Sequence, residues 1–104
     1  MKRPVDEILR DIEAFRPVDG MWLPLDDLLA ELWDAGVPSR ALPVLFGVFE
    51  RFPEDDGAGV LWSIVHGVEA LDHDYEQPLR ESLGRRWSHL GEVMLDRLER
   101  AKAG

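Results

Sequence analysis

The chain has no cysteine, no threonine and only four serines among its 104 residues. Without cysteine there is no disulfide, no thiolate nucleophile and no cysteine-ligated zinc, and none of the serines lies in a nucleophile-elbow motif. A glycine-rich phosphate loop is also missing, because Gly57 and Gly59 follow two aspartates that would repel a phosphate. These absences favour a protein with neither enzymatic activity nor a cofactor.

Long hydrophobic runs are missing as well. The longest stretch without charge, residues 57–68, is well short of the roughly 20 apolar residues that a membrane span requires. Acidic side chains begin at Asp6, so no apolar export signal follows the basic start of the chain. We therefore expect no membrane association and, since cysteine is also absent, a cytoplasmic protein.

Positive charge is scarce: 12 lysines and arginines stand against 21 aspartates and glutamates, a net charge of −9. The excess lies in residues 1–76, whose balance is −11, whereas residues 77–104 have a balance of +2. An acidic surface repels the phosphates of nucleic acid and attracts basic proteins. The charge therefore disfavours a nucleic-acid partner and predicts a basic protein partner, with plain solubility as the alternative reason for it.

The sequence does contain a series of amphipathic helical patterns joined by short connections. Pro4 and Pro78 stand where first turns begin, and Ser39 and Ser88 are predicted N-caps. No alternating apolar pattern or hairpin dipeptide between such patterns indicates a β-sheet. The prediction is an all-α protein in which residues 1–104 form a single domain of five or six short antiparallel helices.

The uncharged stretch predicts a central helix over about residues 57–72. Valines, leucines and an isoleucine form a broad apolar face, and Gly67 with other small residues forms a second face. A helix with both faces packs on two sides, so we expect the other helices to be arranged around it. Trp62, His66 and Glu69 share a third face, which is either open to a partner or covered by a neighbouring helix.

A faint internal repeat is visible along the chain. Residues 43–68 and residues 78–98 can be superimposed as helix, turn and helix, so that Pro43 matches Pro78. A period of about 35 residues is typical of stacked helical hairpins of the HEAT kind. A compact irregular bundle is the alternative, since any two amphipathic hairpins align tolerably.

One set of side chains could bind a metal. His66, Glu69 and His73 would share one side of the central helix if that helix continued to His73, and a His/Glu/His set is compatible with a metal site. No HExxH motif or second ligand cluster accompanies it. We therefore predict neither a bound metal nor a metal-dependent enzyme, and these three residues remain the candidate ligands.

An aromatic side chain inside an acidic rim is typical of a protein-binding surface. Trp62 is the candidate anchor, and acidic residues flank the central helix at both ends. The predicted partner-binding residues are Glu54, Asp55, Asp56, Trp62, His66, Glu69, Asp72, His73 and Asp74. The alternative is a small oligomerising protein in which Trp62 is buried in a homodimer.

Residues 49–57 and 62–69, followed by Tyr75, Leu79 and residues 94–98, resemble small all-helical bacterial immunity proteins of polymorphic-toxin systems. The resemblance covers roughly residues 40–100 and does not involve the first two predicted helices. It implies a protein that binds and neutralises a cognate toxin, commonly a basic nuclease, without catalysis of its own. The implied partner agrees with the acidic charge of the chain.

Overall fold

The computed structural model describes residues 3–103, and six α-helices account for most of that range. The helices are α1 (Val5–Ala14), α2 (Leu23–Ala35), α3 (Leu42–Arg51), α4 (Val60–Glu69), α5 (Glu76–Arg85) and α6 (His89–Ala103). The predicted all-α fold of five or six helices is therefore confirmed. Among the described helices, none combines the length and apolar composition that crossing a membrane requires.

Proline marks the beginning of four of the six helices. Pro4 is the N-cap of α1, Pro24 and Pro43 lie in the first two positions of α2 and α3, and Pro78 is the third residue of α5. A proline is accepted there because the N–H groups of a first turn have no partner within the helix. At the other end of α2, Gly36 takes a φ of 92° and stops the helix.

The helices form two layers, with α1, α3 and α5 in one layer and α2, α4 and α6 in the other. Polar contacts within the first layer join the C-terminal ends of neighbouring helices. An Arg51 guanidinium nitrogen donates to the carbonyl oxygen of Ile12 at 2.8 Å, and Arg85 forms an ion pair with Glu50 at 3.0 Å. The helices of this layer therefore run in the same direction.

Each helix of the first layer pairs with the next helix in the chain, which runs the opposite way. Arg3, just before α1, forms an ion pair with Glu31 near the end of α2 at 2.9 Å. Arg80 of α5 contacts Glu99 in the last part of α6 at 3.2 Å. The chain thus forms three successive hairpins, α1–α2, α3–α4 and α5–α6, that lie side by side. The HEAT-type repeat stays a prediction.

The central helix is shorter than predicted, because α4 covers Val60–Glu69 and not residues 57–72. A 3₁₀ turn precedes it, in which Ala58 and Gly59 have φ values of 54° and 92° that an α-helix cannot contain. At the other end the helix stops at Glu69, and residues 70–75 form the connection to α5.

Within these limits α4 is buried to the same extent as α3 and contacts α2, α3 and α6, whereas α3 contacts α1, α4, α5 and α6. Its apolar face is buried as expected and consists of Val60, Leu61, Ile64, Val65 and Val68. Its small-residue face receives the Trp33 ring of α2, and a Cβ atom added to Gly67 would lie only 2.5 Å from that ring. The apolar face therefore packs as predicted. The small-residue face packs at Gly67, whereas Gly59 and Ala70, which were predicted to share that face, are exposed.

The connections lie at two opposite edges of the stack, because the helices of each layer are parallel. Those within hairpins, residues 15–22, 52–59 and 86–88, share one edge, which we call the hairpin-loop edge. Those between hairpins, residues 36–41 and 70–75, share the opposite edge. This separation decides which of the predicted site residues lie together.

Candidate functional site

An open groove of about 710 Å³ lies at the hairpin-loop edge, between the second and third hairpins. We call it the acidic groove. Its lining residues are Phe52, Pro53, Glu54, Asp55, Asp56, Trp62, Arg86 and His89. Four of the nine predicted partner-binding residues therefore line one surface.

The acidic turn on one side of this groove is held by its own carboxylates. Asp55 accepts a hydrogen bond from the N–H of Gly57 at 2.8 Å, and Asp56 accepts one from the N–H of Ala58 at 3.1 Å. Each bond uses one carboxylate oxygen, and the other oxygen can still accept a hydrogen bond from a ligand. The turn therefore presents its negative charge on an ordered backbone.

A cluster of aromatic rings supports the turn from below. Trp22 packs edge-on against Phe52, with ring centroids 5.0 Å apart, and lies 5.7 Å from Phe15. Gly57 is buried against the same indole, and a Cβ atom added to it would lie 2.9 Å from the Trp22 ring. Because Gly57 also has a φ of 60°, glycine suits this position in both space and backbone conformation.

Two arginines lie beside the aromatic cluster, but their polar contacts are with backbone carbonyls. The guanidinium carbons of Arg16 and Arg51 lie 6.0 and 5.9 Å from the Phe52 ring centroid. Arg16 donates to the carbonyl of Phe15 and Arg51 to that of Ile12, each at 2.8 Å. Burial lowers the pKa of Arg51, with the charge of Arg16 as a further cause. Both cations hold the end of α1 in place.

The carboxylates of Glu54, Asp55 and Asp56 form no ion pair with any cation in residues 3–103. Glu69, by contrast, forms an ion pair with Arg97 at 3.0 Å. The groove therefore presents three acidic groups whose charge is not neutralised by a contact within the described part of the protein.

Trp62 forms the aromatic wall of the groove, and His66 lies beside this ring without lining the groove. The two rings are stacked, with centroids 5.9 Å apart and planes inclined by 29°. Trp62 is half-buried, whereas His66 is exposed. A half-exposed indole beside carboxylates suits an arginine or lysine side chain, since the ring attracts a cation and the carboxylates bind it.

The remaining predicted residues lie elsewhere. Glu69, at the far end of α4, faces α6 and is bound to Arg97, so its charge is neutralised within the protein. The other three are in the connection between α4 and α5, at the opposite edge of the stack: Asp72, His73 and Asp74. The nine residues predicted as one surface therefore form two groups, and only the group at the hairpin-loop edge lines the groove.

The candidate metal ligands do not come together. His73 would join His66 and Glu69 only on a continuous helix, but α4 ends at Glu69. Its Nε2 atom is instead hydrogen-bonded to the carbonyl of Val37 at 2.8 Å. Within residues 3–103 no group of three histidine, aspartate or glutamate side chains has an arrangement that could hold a metal ion.

Two features of this edge were not predicted. Arg86 and His89 complete the groove, and the His89 N–H donates to the carbonyl of Pro53 at 2.8 Å. The second feature is the turn at Asp19 and Gly20, where both residues have positive φ and expose apolar neighbours. An Asp-Gly dipeptide is the sequence signal for such a turn.

Comparison of the chain with known protein families, with curated proteins and with solved structures gives no match. The function of the groove is therefore argued from its geometry and charge.

Proposed function

We propose that this protein is a protein-binding module that captures a basic protein in the acidic groove. The observation that supports the proposal most directly is the turn of Glu54, Asp55 and Asp56, which stands next to half-exposed Trp62. Its carboxylates form no ion pair within residues 3–103, although Arg86 lines the same groove. An aromatic anchor beside charged groups is the composition of many binding hot spots. A net charge of −9 also accelerates encounter with a basic partner.

We propose further that the partner is a toxin and that the protein is of the immunity type. A nuclease has to attract phosphates, so its active surface is basic. An acidic groove with an aromatic wall can occupy such a surface by offering carboxylates where the substrate would offer phosphates. In this role the protein needs no catalytic group or cofactor, and it acts in the cytoplasm, where the nucleic acid is.

The direct test is co-expression with the product of the neighbouring gene, followed by purification through a tag on this chain. We expect the two proteins to purify together at low ionic strength and to separate increasingly as salt is added, because the contact is between opposite charges. The idea fails if the neighbouring product is not a toxin and no basic protein is retained.

A small oligomerising protein is the second candidate, and one observation favours it. Val18, Met21 and Leu23 are large apolar side chains that are more than half exposed, and apolar surface of this kind is often covered in a complex. Light scattering that shows a dimer, which Trp62→Ala returns to a monomer, would support this candidate over a free binding groove.

A further inference from the structure

The hairpin-loop edge contains a second depression, of about 260 Å³, beside the acidic groove. We call it the apolar cup. Its lining residues are Gly20, Met21, Trp22, Leu23, Ala58 and Val60. Apart from one glycine and one alanine, these are large apolar side chains, so the cup suits an apolar side chain of a partner.

The residues at the rim of the cup are exposed to a degree that is unusual for their type. Val18 is 70% exposed, Met21 58% and Leu23 65%. The N–H of Met21 donates to the carbonyl of Val18 at 3.0 Å across the turn that includes Gly20. This hydrogen bond holds Val18 and Met21 side by side. Both side chains are therefore exposed on a turn whose backbone is hydrogen-bonded.

The cup and the acidic groove are parts of one continuous surface. Ala58 lines the cup, and its N–H donates to the carboxylate of Asp56, which lines the groove. The acidic turn is thus the wall between the two depressions. When a partner contacts the carboxylates of this wall, its neighbouring side chains can reach the cup.

Charge decides between a second copy of this chain and a different protein as the occupant. Asp19 lies in the turn that carries Met21, and Asp26 is placed on the side of α2 near Leu23 by its i, i+3 spacing. Two copies joined at this edge would bring these acids and the acidic grooves together, each chain having a net charge of −9. A cationic partner meets no such repulsion.

We infer that the apolar cup and the acidic groove together bind a segment of the partner in which an apolar side chain lies next to lysines or arginines. The basic side chains contact Glu54, Asp55 and Asp56, and the apolar side chain enters the cup between Met21 and Leu23. The inference rests on the proposed function, in that the partner is a basic protein. It adds that charge alone does not select the partner.

The test uses two synthetic peptides of equal length and equal positive charge. In the first, leucines alternate with lysines, and in the second each leucine is replaced by serine. Binding of each peptide is followed by tryptophan fluorescence or calorimetry. We expect the leucine peptide to bind about tenfold more tightly or better, because burial of one apolar side chain is sufficient for that difference.

Three variants assign the binding to the two depressions. Met21→Ser with Leu23→Ser should reduce the affinity for the leucine peptide to that of the serine peptide and leave the serine peptide unaffected. Asp55→Asn with Asp56→Asn should weaken both peptides, while asparagine can still accept the hydrogen bonds of the turn. Trp87→Ser is the matched control, since it removes a side chain that is 49% exposed on the third hairpin loop and away from the cup.

Four results would overturn the inference. They are equal binding of the two peptides, no binding of either, an equal loss of affinity in the Trp87 control, and a concentration-dependent dimer that the Met21 and Leu23 substitutions abolish. Equal binding leaves the proposed function intact, since a basic partner is still bound. If the peptides behave as expected but the neighbouring gene product is not captured, the immunity function fails and the docking surface remains.

Discussion

Glu50 holds its charge at a half-buried position between α3 and α5. Partial burial acts to raise the pKa of its carboxyl group, but hydrogen bonds from Arg85 and from Ser82, the latter at 2.8 Å, outweigh it and lower the pKa below 4.5. Ser82 is itself buried, so its hydroxyl finds its partner in this carboxylate. The pair joins the second hairpin to the third.

The lowered pKa of Glu50 makes part of the stability depend on pH. Because the carboxyl binds its proton more weakly in the folded than in the unfolded state, its contribution is complete above pH 4.5 and is lost as the pH falls through the lowered pKa. Glu50→Gln should reduce the free energy of unfolding at neutral pH by about 1 kcal/mol. It should also make the loss of stability in acid smaller than in the unmodified protein.

Urea unfolding at neutral pH and at about pH 3 measures both effects of the Glu50 substitution. Glu81→Gln is the control, because Glu81 is an exposed carboxylate of the neighbouring helix and its substitution should change stability by less than about 0.5 kcal/mol. Identical pH dependence in the two variants would contradict the role given to Glu50.

Alanine substitutions at Gly67 and Gly47 distinguish the effect of close packing from the effect of helix propensity on stability. Gly67→Ala places a Cβ atom 2.5 Å from the Trp33 ring, and we expect it to lower the free energy of unfolding by about 1–3 kcal/mol. Gly47→Ala, also inside a helix, meets its nearest atom at 3.8 Å and should be stabilising by up to about 1 kcal/mol. Thermal unfolding of the two variants in parallel tests this, and equal shifts would refute the packing of Trp33 on α4.

At the scale of single elements, the helices could be predicted from the sequence, but neither end of α4 could. The prolines, the apolar spacing and Gly36 predict the positions of five of the six helices to within a few residues. Residues 57–59 look helical in composition, yet Ala58 adopts a positive φ because the aspartates before it bond to the backbone of the turn. Such local competition for N–H groups is decided by the fold and not by the apolar pattern.

The two predicted serine caps also differ in the structure. Ser88 accepts a hydrogen bond from the N–H of Gly91 at 3.2 Å and is 1% exposed, so it caps α6 as predicted. The capping role predicted for Ser39 is wrong, because Ser39 begins a 3₁₀ turn whose N-cap, Pro38, has no capping side chain.

Alanine substitution of the two serines should therefore have unequal effects. Ser88→Ala should lower the free energy of unfolding by about 1 kcal/mol, since it removes a buried cap. Ser39→Ala should change it by less than about 0.5 kcal/mol. Chemical denaturation provides the comparison, and an equal loss in both variants would show that the cap of α6 has no special role.

At the scale of the whole molecule, the stack of hairpins separates acids that the sequence places on either side of one helix. Asp55 and Asp74 flank α4, whose ten residues rise about 15 Å. The sequence shows both groups as neighbours of Trp62, but the parallel layers place one group at each edge. The packing of α3 against α5 decides which acidic residues share a surface with the Trp62 indole. A local sequence pattern does not predict this packing.

The central claim is that a basic protein is bound by the carboxylates of the hairpin-loop edge. Calorimetric titration of the captured partner with two matched double variants tests it most directly. Asp55→Asn with Asp56→Asn should weaken binding at least about tenfold, whereas Asp72→Asn with Asp74→Asn, an identical charge change at the opposite edge, should alter it less than about threefold. A larger loss at the opposite edge, or equal losses at both, would contradict the account.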